Sequence, residues 1–304
     1  MKDQAEKLRE IAHNLKGEIE TEIKSQYSQK QLSKRIKTIV ITSGKGGVGK
    51  STLAVNLAIC LSMSRKKVAL VDGDLGLANI DIMLGITPEY SLNQLFSGQK
   101  KLAEIIVAGP AGLTLIPGWS GLEHLFTLNT NEIIMVIDEF EQLEQEFDFL
   151  IIDTGAGISK IINAFIKTAD IVLLVTTPEP TSVADTFSAL KNIVNIRGDE
   201  DIRLVINRVE NKLEGARIAE RLELACQKLL NLSIPALGYV ANDPMVGEGV
   251  LRQQPVINLY PHTTASIDFK TIGQKLISDE AIINNVSAQS GLKGFLKRVF
   301  ALVR

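Results

Sequence analysis

A chain of 304 residues with 33 Lys and Arg against 35 Asp and Glu has no overall field to draw the whole molecule onto nucleic acid or an anionic membrane, so any such attraction must be local. The composition, 45% hydrophobic with few aromatics, is that of a soluble globular protein and excludes extended disorder. Cys60 and Cys226 are far apart, which leaves neither a CxxC metal site nor a disulfide framework and fits a reducing compartment. No signal-type stretch opens the chain and no run approaches the ~18 apolar residues of a spanning helix, so a cytoplasmic protein is expected.

Residues 1–35 are charged, lack Pro and contain one Gly, with Leu8, Ile11, Leu15, Ile19 and Ile23 three or four apart. A stripe this narrow cannot build a core, so the segment reads as a helical arm lying on something else or as a flexible tail. From Thr38 the texture changes to short β-branched runs: 38–42, 68–71, 113–116, 149–152, 171–176, 204–206 and 237–240. Helical patterns fall between them, over about 52–64, 131–146, 181–196, 212–231 and 265–278. Strands alternating with helices over residues 36–280 predict an α/β fold: a doubly wound, mostly parallel sheet with helices on both faces. In such sheets ligands sit at the carboxyl ends of the strands.

The first strand runs into Gly44-Lys45-Gly46-Gly47-Val48-Gly49-Lys50-Ser51-Thr52, which fits the G-x-x-x-x-G-K-[ST] phosphate loop of the P-loop NTPases. Its glycines let backbone amides approach phosphate oxygens, and the helix that follows offers its positive end. Lys50 is placed to reach the terminal phosphates and the Ser51 hydroxyl to ligate Mg²⁺. Lys45 cannot easily curl back to its own phosphates, but it can reach a nucleotide held by another subunit.

Two acidic motifs follow at predicted strand ends: Asp72-Gly73-Asp74, and Asp153-Thr154-Gly155-Ala156-Gly157 after a hydrophobic run. The second has the form of a Walker B strand, in which Asp153 holds Mg²⁺ through a water and the Gly155 amide senses the γ-phosphate. A carboxylate beside polyphosphate needs the cation between them. Asn207-Arg208-Val209-Glu210 stands where guanine-specific relatives carry N/T-K-x-D. An Asn amide matches the adenine edge, which favours ATP and ADP as ligands; the other reading is that Asn207 caps a turn.

Residues 281–304 contain no acidic residue. Leu292, Phe295, Leu296, Val299, Phe300 and Val303 fall at i, i+3, i+4, i+7, i+8 and i+11, with Lys293, Lys297, Arg298 and Arg304 elsewhere. That is a basic amphipathic helix suited to an anionic membrane surface. The same pattern serves a terminal helix packed on the protein's own core, and both readings stay open.

The K-G-G-x-G-K-[ST] form of the loop resembles the MinD/ParA branch of P-loop ATPases, whose members form nucleotide-sandwich homodimers in the ATP state. The resemblance implies that Lys45 contacts phosphate across the dimer, that Asp74 orients the attacking water and approaches the metal with Asp72 in support, and that Glu179 of Pro178-Glu179-Pro180 lies near the partner's nucleotide. Paired cysteines of metal-carrier relatives are missing, and residues 200–280 lack the basic surface of DNA-partition relatives, so no nucleic acid is expected.

Asp3-Gln4-Ala5-Glu6-Lys7-Leu8-Arg9 is similar to the D-Q-A-x-x-L-R segment of the flagellar FlhG group (also called YlxH or FleN). In that group the segment stimulates the GTPase FlhF, and the resemblance implies that Gln4 enters the partner's catalytic site while Asp3 and Arg9 orient the helix. Asp153-Thr154-Gly155-Ala156-Gly157 agrees with the same group. The expectation is a slow, partner-stimulated ATPase that binds the inner face of the cell membrane reversibly, touches flagellar switch (C-ring) proteins and controls flagellar number and placement. The rivals are a DNA-partition ATPase, a division-site ATPase and a nucleotide-binding scaffold without turnover.

Overall fold

The computed structural model describes residues 36–74, 79–118, 130–144, 146–157, 159–198, 201–283 and 292–303. The arm with Asp3, Gln4, Leu8 and Arg9 lies outside the described residues.

Eight strands form one sheet: β1 (Lys37–Thr42), β2 (Val68–Gly73), β3 (Val107–Ala108), β4 (Thr114–Ile116), β5 (Phe149–Thr154), β6 (Ile171–Thr176), β7 (Ile202–Val209) and β8 (Ala236–Ala241). Their order is β3-β4-β2-β5-β1-β6-β7-β8, all parallel except the pairing of β3 with β4. β1, β2, β5 and β6 are buried along their whole length because helices cover both faces. Each of the seven expected strands is present; β3, two residues at the edge, has too little pattern to be seen in advance.

The helices are α1 (Lys50–Met63), α2 (Ile80–Leu84), α3 (Leu92–Phe96), α4 (Leu102–Ile105), α5 (Thr130–Glu144), α6 (Lys160–Thr168), α7 (Pro180–Arg197), α8 (Lys212–Leu230), α9 (Pro244–Leu251), α10 (Val256–Leu259), α11 (Thr264–Ile283) and α12 (Leu292–Val303). One core lies between the sheet and α1, α2, α10 and α11; the other lies between the opposite face and α3 to α8 with α12. α1 is buried on almost every side, because α11 closes over the face that the sheet does not cover. Gly273 permits that approach, since a Cβ there would sit 3.2 Å from Cys60 Cβ. Within this dry layer Asn56 donates to Thr52 O at 2.8 Å and accepts from Ile257 N at 3.2 Å, so its amide is satisfied on both sides.

Helix α6 was not expected from the sequence, yet it carries much of the second core. Ser159 caps it by accepting from Ile162 N at 3.2 Å. Its last carbonyls are met by the buried Arg197, which donates to Ile166 O at 2.8 Å and to Ala169 O at 3.2 Å. α12 lies against α5 and α6. Phe295 stacks on Phe165 with centroids 6.2 Å apart and planes at 7°. Phe295, Leu296, Val299 and Phe300 are all buried, Lys297 is exposed, and Arg298 lies 3.4 Å from Thr168 O. The amphipathic spacing is therefore real, and in this state its apolar side faces the protein's own core. Among the described residues no helix is long and apolar enough to cross a membrane.

Candidate functional site: a phosphate loop facing a buried carboxylate

The carboxyl ends of β1, β2, β5 and β7 converge on one side of the sheet. The β1–β5 register ends at Ile41↔Asp153, while β2 and β5 stay paired through Asp72↔Asp153 and Gly73↔Thr154. That pairing puts the two carboxylates side by side on neighbouring strands, with Asp153 on the strand next to β1.

The loop is shaped by its glycines. Gly47 and Gly49 have φ of +76° and +92°, a region that side chains rarely adopt. Gly44 is pressed against α7, where a Cβ would fall 2.2 Å from Asp185 O. Gly46 and Gly47 are exposed and Val48 is buried, so the loop rests on an apolar pin with its open peptides outward. Gly49 caps α1 in the left-handed conformation, and Lys50, Ser51 and Thr52 form the first turn of that helix.

Lys50 is buried, which lowers the pKa of its amine, while Asp153 and Asp74 act in the opposite direction. Asp153 is 1% exposed, and burial pushes its carboxyl up to about 7; the hydrogen bond from Ser51 opposes this and the nearby Asp72 adds to it. Asp153 Oδ1 has no hydrogen-bond partner. Burial also raises the pKa of Asp72, against backbone amides that hold it down. Asp72 accepts from Asp74 N at 3.2 Å, Asn79 N at 2.9 Å and Ile80 N at 3.1 Å, so its carboxylate ties the start of α2 to the end of β2. Asp74 lies against the second motif: a Cβ on Gly155 would be 3.0 Å from Asp74 Oδ1.

Lys45 turns to the start of α7. Its ammonium is 3.0 Å from Glu179 Oε2 and 3.0 Å from Thr181 Oγ1, with the two charged side chains 38% and 60% exposed. Sequence reasoning singled out Lys45 and Glu179 separately, each in relation to a partner's nucleotide; the structure pairs them within one subunit. Thr181 carried no signal of its own.

Asn207 has a role that no local pattern announces. Only 7% exposed, it donates from Nδ2 to Val48 O at 2.8 Å and accepts on Oδ1 from Arg208 N at 3.0 Å. It thus buckles the phosphate loop to the end of β7, and it explains Gly49, whose Cβ would lie 2.3 Å from Asn207 Nδ2. One of its two amide N–H groups is committed, and the carbonyl oxygen keeps a second lone pair. Arg208 is exposed with φ of +58°.

Among the described residues no three His, Cys, Asp or Glu side chains form a metal cage of their own. Ser51 and Asp153 instead fit an ion that takes most of its oxygens from phosphate and water, as Mg²⁺ does, and the partnerless Asp153 oxygen fits that use.

A glycine-lined loop opening a helix after a central parallel strand, opposite a buried carboxylate on the next strand, defines a P-loop nucleoside triphosphatase. A family described as an AAA domain matches residues 36–206. The "Antiactivator FleN" of Pseudomonas aeruginosa is 33% identical over 80% of this chain and 87% of its own length. The "Flagellum site-determining protein YlxH" of Helicobacter pylori is 34% identical over 86% of this chain and 89% of its own. Among solved structures, the septum site-determining protein MinD of Pyrococcus horikoshii, complexed with Mg-ADP, superposes with a TM-score of 0.66 at 25% identity, covering 83% of this chain and 100% of that one. The chain belongs to the MinD/ParA-type P-loop ATPases and stands close to the FlhG group within them.

The raised Asp153 gives a pH signature. A carboxyl whose pKa is higher folded than unfolded binds its proton more tightly in the folded state, so stability falls as pH rises from about 4 to about 7 and levels off above that. Melting temperatures of the nucleotide-free protein should decline across that window, and Asp153→Asn should flatten the decline. Identical profiles for the two would remove the buried-carboxylate account.

Proposed function

We propose that this chain is an ATP-dependent dimerising switch of the FlhG type, which binds membranes reversibly and regulates flagellar number and placement. The observation that carries the reading is the position of Lys45 beside Glu179 and Thr181 on an open surface. An exposed ion pair contributes about 0–1 kcal/mol. A polyphosphate presented by a second subunit in a water-poor interface attracts the same ammonium more strongly, so the pair yields when two copies close over ATP.

Lys50 and the loop amides bind the phosphates, Ser51 and Asp153 hold the cation, Asn207 and Arg208 flank the base, and Asp74 orients the attacking water. When bound, Mg²⁺ neutralises charge on the β- and γ-phosphates. Light scattering on the hydrolysis-defective Asp74→Ala protein should show twice the monomer mass with ATP and the monomer mass with ADP or no nucleotide. One mass in all three conditions would end the switch reading.

Membrane binding follows from α12. Burial of Phe295, Leu296, Val299 and Phe300 stabilises the docked state by about 6–12 kcal/mol gross, before the entropy of ordering the helix is subtracted. Release needs an opposing gain, which dimer formation supplies through the Gly155–Gly157 segment ahead of α6, the helix that α12 packs on. Two released helices per dimer bind far more tightly than one. Phe165→Leu, which removes the stacking partner and leaves α12 unaltered, should raise co-sedimentation of nucleotide-free protein with anionic vesicles several-fold. No increase would mean that docking does not restrain the helix.

The partner reading rests on Asp3, Gln4, Leu8 and Arg9. In the presence of the full chain, GTP turnover by FlhF should rise, and Gln4→Ala should abolish the rise. An unaltered rise with Gln4→Ala, or none with the native chain, returns the protein to the general MinD reading.

A further inference from the structure

Thr154 is unusual among the buried hydroxyls. Thr168 and Thr186 each donate to a carbonyl four residues earlier in their own helices, at 2.7 Å, which is the ordinary way a helix satisfies a threonine. Thr154, 1% exposed, instead donates across the sheet to Ile41 O at 2.9 Å, 113 residues away in the chain. The location matters. The register between β1 and β5 stops at Ile41↔Asp153, one residue earlier, while Thr154 is still paired with Gly73 on its other side. Its side chain therefore reaches back from the residue after the last registered β5 position to the last registered residue of β1, close to where β1 runs on into the phosphate loop and β5 into the Gly155 segment.

The same hydroxyl lies 3.2 Å from Gly155 O, so one proton is shared between the root of the phosphate loop and the first peptide of the switch. Gly155 in turn carries Asp74 against its Cα. A one-peptide lever thus joins the strand that presents the phosphates to the segment that must notice the outermost one.

We propose that Thr154 is a positioning residue for recognition of the terminal phosphate: its hydroxyl sets the spacing between the phosphate loop and the Gly155 segment. The inference rests on the nucleotide-switch reading above and adds a residue to it. ADP leaves the Gly155 segment unloaded, so its binding does not depend on this spacing; ATP places an oxygen that the segment must meet, so its binding does.

The test uses the full chain with Mg²⁺, a fluorescent ADP and a fluorescent non-hydrolysable ATP analogue, comparing native protein, Thr154→Val and Thr154→Ser. Valine keeps the shape and removes the hydroxyl; serine keeps the hydroxyl. Loss of one buried neutral hydrogen bond should weaken the ATP analogue about 10-fold in Thr154→Val and ADP less than about 2-fold. Thr154→Ser should stay within about 2-fold of native for both. Equal losses for the two ligands in Thr154→Val would show a purely structural hydroxyl, and no loss for either would show an idle one; both overturn the proposal. Native protein whose mass fails to respond to ATP overturns the switch reading instead, a separate readout in the same samples.

Discussion

A carboxylate held out of water at the end of a parallel strand, with one oxygen facing no donor, is the constraint around which this molecule is organised. Lys50 and Ser51 favour its charged form, while burial and Asp72 on the neighbouring strand end oppose it. The balance lets the folded state keep a proton on Asp153 up to a pH of about 7. Charge that is costly in the absence of a ligand and compensated in its presence is what makes a nucleotide site responsive rather than merely adhesive.

The surroundings of that group serve to keep distances fixed. Asp72 uses its carboxylate to tie backbone, not to titrate against substrate, and so holds the end of β2 to the start of α2. Asn207 ties the phosphate loop to β7 from the other side. The segment after Asp153 leads into α6. Because α12 is packed on α6, anything that shifts the base of α6 acts on the docking of the terminal helix through contacts already in place.

Much of the fold was legible because burial on both faces leaves a strong mark: β1, β2, β5 and β6 are short runs of apolar, largely β-branched residues with no alternation. Helix α6 escaped notice because its nine residues follow a glycine-rich loop closely and give barely two turns of pattern. The phosphate loop was legible because its chemistry is local, with glycines, lysine and hydroxyl fixed by spacing within nine residues. Glu179 and Lys45 were each legible as candidates but not as a pair, since nothing in a sequence says that residues 134 apart share a hydrogen bond.

By itself the sequence determined the class of fold, the phosphate loop, the two acidic strand ends and the amphipathic character of the last helix, since each depends on neighbours within a few residues and on periods of two or 3.6. The tertiary structure alone decided what those parts touch. It tied Asn207 to the phosphate loop, linked Thr154 to β1, and laid Phe295 on Phe165. The physical reason is that an apolar stripe or a hydrogen-bonding side chain states a need for a partner without naming it, and the partner is chosen by packing among groups more than a hundred residues apart.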